Sequence, residues 1–147
     1  MIQKMAAVLI LLPLCVACTT ATTQPGYKTV EIGSTDIPIQ MPVDVELTEI
    51  PWFEAERYQA HRNEKHILSI YYGTMPRVGI YFGRDSLERD ERLPDVNGTT
   101  RRDLVIQLQD GPTFYLHAYY AQLDGETAAV ADAMIDSIDI AGHYTSQ

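Results

Sequence analysis

The stretch 103–138, DLVIQLQDGPTFYLHAYYAQLDGETAAVADAMIDSI, decides the fold class. Asp103–Gln109 and Thr113–Ala121 are runs of apolar and aromatic residues on either side of Asp110-Gly111-Pro112. Two such runs across a Gly/Pro turn predict paired antiparallel strands. The period then changes. Val130, Met134 and Ile138 recur every four residues, with Ala131 and Ile135 beside them. That pattern predicts a helix over Asp124–Ile138 with one apolar stripe facing a sheet. Asp124 is placed to cap the helix, and Glu126 suits the positive end of its dipole. Asp132 and Asp136 fall on the other, wet side. Ile138–Ile140 reads as a continuation into a short final strand.

Upstream, the β-forming runs Tyr27–Ile32 and Ile37–Met41 flank the turn residues Gly33-Ser34-Thr35-Asp36, which predicts a first hairpin. Pro38 and Pro42 suit edge positions or strand ends. Trp52–Arg62 reads as strand or helix; as a strand it lines Trp52, Glu54, Glu56 and Tyr58 along one face. Ile67–Tyr72 (ILSIYY) and Val78–Phe82 (VGIYF) are strand signals, each followed by glycine. Arg84–Arg102 breaks the pattern with five arginines, five acids, Pro94 and Asn97-Gly98. It predicts a long exposed loop, or a short polar helix followed by a turn.

At the other end, Lys4 precedes the apolar run Ala6–Leu12, and Val16-Ala17 sets small residues before Cys18. Secretory signals have this shape. Leu14-Cys15-Val16-Ala17-Cys18 resembles a bacterial lipobox, which implies cleavage before Cys18 and lipidation of its thiol. The alternative is an ordinary signal with Cys18 incidental. Residues 1–17 are thus expected to be a lipoprotein signal peptide, and 18–26 a lipidated cysteine and flexible tether. Residues 27–147 are then a single α+β domain. Thr19, where an Asp would favour inner-membrane retention, points to the outer membrane, with the domain in the periplasm.

The early Ile37-Pro38-Ile39-Gln40-Met41-Pro42 strand and the closing Ala131–Ile138 helix resemble those of the PsbP-like or DcrB-like α/β sandwich. The resemblance covers about Tyr27–Ala141. It implies an antiparallel sheet with the C-terminal helix packed on it, in a fold group of binding and assembly factors more often than enzymes. It carries over no catalytic residues.

The full chain has 147 residues and a net charge of −9. Removal of residues 1–17 would take one lysine and leave ten basic against 20 acidic residues. That balance opposes binding to nucleic acid or anionic head groups and favours solubility or a basic partner. Cys15 and Cys18 are the two cysteines, so the mature domain has no thiol for a disulfide. No metal or organic cofactor is implied. His61 and His66 lack the spacing of a zinc site. No Gly-x-Ser-x-Gly elbow occurs, and Gly79–Gly83 lacks the Gly-Lys-Ser/Thr ending of a phosphate loop.

Two candidate sites emerge. Strand alternation places Tyr115, His117 and Tyr119 on one face, which reads either as an aromatic pocket around a titratable group, joined by Tyr71 or Tyr81, or as a half-buried strand. Arg84, Arg89, Arg92, Arg101 and Arg102 form a candidate binding surface, set against an acidic C-terminal part with no Lys or Arg after Arg102. The arginines read either as a docking surface or as partners of neighbouring acids. The leading expectation is a non-enzymatic outer-membrane lipoprotein that binds a protein or envelope component. Its narrower form is an inhibitor or immunity protein for a basic hydrolase. The alternative is a small-molecule carrier or weak hydrolase using the pocket around His117.

Overall fold

The inner strands are explained by the residues they bury. The computed structural model describes residues 25–52, 55–74, 89–108 and 114–139. Among these, β1 (Tyr27–Ile32) and β2 (Ile37–Pro42) form an antiparallel hairpin of their own. The other strands are β3 (Val45–Trp52), β4 (Ala55–Arg62), β5 (Lys65–Gly73), β6 (Arg89–Pro94), β7 (Thr100–Leu108) and β8 (Phe114–Leu123). They make one antiparallel sheet in the order β3-β4-β5-β8-β7-β6. Helix α1 (Gly125–Asp136) follows β8. The architecture is that of a single α+β domain, as the strand–strand–helix pattern of 103–138 implies.

The turns carry their own chemistry. Gly33 (φ 69°) and Asp36 (φ 56°) bring β1 back into β2. Asn63 and Glu64, both with positive φ, close β4 onto β5; two left-handed residues match the twist of a tight hairpin. Asn97 (φ 58°) and Gly98 (φ 74°) turn β6 into β7, and Asp95 N–H donates to Thr99 O at 2.8 Å.

One face of the six-stranded sheet carries Ala60, Leu68, Ile70, Tyr72, Leu116, Ala118 and Tyr120, all buried. The β1–β2 hairpin adds Ile32, Ile37, Ile39 and Met41 to this core, and α1 adds Ala128, Ala131, Met134 and Ile135. The alanines let the helix sit close to the sheet. Val130 and Ile138, expected in the centre of the apolar stripe, pack at its margin. Asp124 caps α1 by accepting from Thr127 N–H at 2.9 Å, and its other oxygen accepts from Lys65 Nζ at 2.9 Å. At the far end Ser137 Oγ accepts from Gln40 N–H at 2.8 Å and lies 2.7 Å from Met134 O. That residue thereby ties the helix end to β2.

Three expectations change. Arg84–Arg102 is not a loop or a polar helix over its described part: Arg89–Pro94 is strand β6, and β7 begins at Thr100. An edge strand needs no apolar alternation, and charged residues protect it from pairing with other chains, which is why RDERLP does not look like a strand. Residues Ile138 and Asp139 are not in a strand; Asp139 N–H instead makes one bond to Pro38 O at 3.2 Å. Trp52–Arg62 resolves into the end of β3 and all of β4. The segments 1–24 and Val78–Phe82, and with them the signal, Cys18, most of the tether and Tyr81, lie outside the described residues.

Candidate functional site

Three polar clusters stand out on this frame. The first is centred on Arg102. A register shift between Thr100 and Arg102 sets Arg102 opposite Tyr120, on the helix-facing side of the sheet. There it is 5% exposed. Its Nε and Nη2 grip both oxygens of Asp90 at 2.8 and 2.7 Å. Nη2 also lies 2.7 Å from Asp136 Oδ1, and Nη1 lies 3.3 Å from Asp132 Oδ1. Tyr120 donates its hydroxyl to Asp132 at 3.0 Å, and Arg92 reaches the other Asp132 oxygen at 3.1 Å. The bond from Arg102 holds the Asp90 carboxyl below the usual carboxylate range, and Asp90 in turn raises the Arg102 guanidinium. Burial pushes the Tyr120 hydroxyl up.

This cluster takes Arg102 out of the five arginines expected at the surface. Arg102 is an internal tie between β6, β7 and α1; its partner Asp132 is half-buried, while Asp136 pairs with it and still lies on the wet side of the helix. A buried guanidinium needs such acids, because an unpaired charge there would be strongly destabilising. Arg92 remains at the surface with its side chain 53% exposed, and Arg101 is exposed. Arg89 lies in β6, with its side chain outside the described residues, as is Arg84 entirely.

The second cluster lies on the opposite face. Register and alternation bring Tyr115, His117 and Tyr119 to one side, with Tyr71 directly across from His117 and Asp103 across from Tyr119. His117 Nε2 is 2.7 Å from Asp103 Oδ1, and its ring centroid is 4.7 Å from that of Tyr119. The grouping expected from the sequence is therefore present. But His117 is 0% exposed and Tyr71 is buried. The pair joins neighbouring strands, and the imidazole offers no surface to an incoming molecule.

The third cluster is an open cleft of about 360 Å³ where the ends of β3, β4, β5 and β8 meet the β1–β2 turn. Trp52, Glu56, Tyr72, Gly73, Phe114 and Ser34 line it. Its size falls within the roughly 300–1,000 Å³ of typical ligand pockets. Tyr72 and Phe114 stack with centroids 5.1 Å apart and planes 10° from parallel. Trp52, the chain's single tryptophan, is 50% exposed. Glu56 is fixed from two sides: Tyr58 donates its hydroxyl to Oε2 at 2.9 Å, and Ser34 N–H approaches Oε1 at 3.3 Å. Gly33 N–H in turn donates to the Tyr58 oxygen at 3.1 Å. Burial, and then the Glu56 carboxylate, push the Tyr58 hydroxyl up to about 12, so it remains a donor. A side chain is disfavoured at both glycines, at Gly33 by its φ of 69° and at Gly73 by close packing. A Cβ at Gly33 would lie 2.6 Å from Glu56 Oε2, and one at Gly73 would lie 2.7 Å from the Ala55 Cβ.

The sequence groups Trp52, Glu56 and Tyr58 on one strand face, but Trp52 ends β3 opposite Ala55, so alternation sets it on the other face of the sheet from Glu56, Tyr58 and Tyr72, and it meets the cleft at the strand ends. The lone tryptophan at a strand end was the available signal. The described residues hold no group of three or more His, Cys, Asp or Glu able to bind a metal ion. Among them no helix is long and apolar enough to cross a membrane. Comparison with protein-family models, curated proteins and solved structures returned no match.

Proposed function

We propose that this chain is a non-enzymatic lipoprotein, anchored through Cys18 at the periplasmic face of a bacterial outer membrane. Its domain binds a basic protein of the envelope, and the cleft at Trp52 is its recognition site. The observation that carries this reading is the half-exposed Trp52 beside stacked Tyr72 and Phe114 and a fixed Glu56. Exposed aromatic anchors in a concave setting are typical of binding hot spots. The net charge of −9 favours a basic partner, because complementary charge speeds encounter. By contrast, the His117 imidazole is buried in the sheet against Asp103 and offers no comparable open surface.

The test is photo-cross-linking of the full chain in its native envelope, with a photoreactive residue at position 52 or, as control, at position 93. One stoichiometric partner from position 52 alone is the expected result. Equal capture from both positions, or none from 52, would remove the cleft as the recognition site. Cys18→Ser should release the protein into the soluble envelope fraction; unchanged membrane partitioning would remove the anchor.

A further inference from the structure

Glu56 meets no counter-charge among the described residues. Its hydrogen-bond donors, the Tyr58 hydroxyl and the Ser34 N–H, are neutral, and no cation pairs with it among the described residues. Asp44 meets Arg62, Asp124 meets Lys65, and Asp90, Asp132 and Asp136 meet Arg102, whereas Glu56, like Glu46, Glu64 and Glu126, is in no ion pair among the described residues. Around Glu56 the cleft supplies aromatic rings instead. Trp52 is the strongest side-chain partner for a cation over a ring face, and Tyr72 and Phe114 add a second aromatic wall. A neutral ligand would be served by any polar group here. A carboxylate bonded only to neutral donors, in an open cleft that Trp52, Tyr72 and Phe114 also line, suits a positive charge that arrives from outside.

We infer that this cleft binds an organic cation, an alkylammonium head group seated against Trp52 and the Tyr72–Phe114 pair with its charge on the Glu56 carboxylate. The inference rests on the cleft's being a recognition site. It names what the site recognises: a lysine side chain presented by the basic partner, or a free ammonium compound of the same chemistry. The rings take the methylenes or methyl groups, and Glu56 takes the charge.

The single tryptophan makes the test direct, since all indole emission of the full chain comes from position 52. Emission is followed during titration with choline and with Nα-acetyl-lysine amide. The neutral counterparts are 3,3-dimethylbutanol and Nα-acetyl-norleucine amide. The expected result is a saturable change with a cation and none with its neutral counterpart, weakened by salt. Response to lysine amide assigns the source to a partner side chain; response to choline alone assigns it to a free ammonium compound. Glu56→Gln keeps an acceptor for Tyr58 and Ser34 but loses the charge, and should weaken binding by about tenfold. Asp90→Asn should leave it unchanged. Should Glu56→Gln fail to fold, calorimetry on Trp52→Leu decides the same point, with loss of cation binding expected.

Equal binding of neutral and charged forms, or no saturable change with either cation, overturns the inference. If cross-linking from position 52 still yields a partner in that case, the recognition reading stands without it. If cations bind and no partner is captured, the cleft stands as a cation site and the protein partner falls.

Discussion

Two carboxylate-bearing regions occupy the same face of the six-stranded sheet, near its two edges. On the β6–β7 side, Asp90, Asp132 and Asp136 surround Arg102, and the guanidinium is 5% exposed. On the β3–β4 side, Glu56 is held by a tyrosine hydroxyl and a backbone N–H beside a half-exposed tryptophan. Both use charged and aromatic side chains on paired strands. The first closes its charges on one another and joins the helix to the sheet. The second has no counter-charge among the described residues and keeps Trp52 half-exposed.

Breaking the closed region should have the largest effect. Arg102→Ala leaves three carboxylates around an empty position and should cost about 3 kcal/mol, the low end for a broken buried pair because Asp90 and Asp136 reach solvent. The denaturation midpoint measures it, and cation binding at the cleft should be unchanged in the folded fraction. Next comes Gly73→Ala. Its methyl would press on Ala55 Cβ at 2.7 Å and on the Tyr71 hydroxyl at 2.6 Å. Overpacking of this kind costs about 1–3 kcal/mol, and here it also narrows the cleft, so melting temperature and Trp52 emission should both move.

Acid titration sharpens the contrast. Asp90 has a carboxyl lowered by Arg102, so its contribution is present above the ordinary carboxylate value and is lost as pH falls through the lowered folded value. His66, lowered mainly by burial, acts at higher pH: its contribution is intact above its ordinary value of 6.5 and declines as pH falls below it. Urea midpoints should fall in two stages on acidification, the first absent in His66→Gln and the second reduced in Asp90→Asn. The smallest effect on stability belongs to Trp52→Leu. A half-exposed side chain away from the core should change it by less than about 0.5 kcal/mol, while binding at the cleft is lost.

The sequence made some of this legible and hid the rest for physical reasons. Helix α1 is readable because its apolar stripe and Asp124 cap are local features. Strands β5 and β8 are readable because central strands are apolar on both faces, and alternation alone put Tyr115, His117 and Tyr119 together. Strand β6 was hidden because RDERLP at an edge answers to solvent and to Arg102, not to a core. Arg102 looked like surface because its acid partners on α1 are 30 and more residues away in sequence. The cleft was hidden most deeply. Its assembly depends on Glu56 facing Tyr72 across β4–β5, on Gly73 facing Tyr115 across β5–β8, and on the β1–β2 turn reaching over to Glu56. Each is a pairing choice that composition does not encode.

The most direct test maps where a cation acts on the 16.5 kDa chain. Backbone amide NMR shifts are recorded as choline and lysine amide are added to the full-length protein. The account predicts saturable shifts concentrated at Ser34, Trp52, Ala55, Glu56, Tyr72, Gly73 and Phe114, with Asp90, Arg102, Asp132 and Asp136 still. Shifts centred on the Arg102 cluster, or spread evenly over the acidic surface, would contradict it.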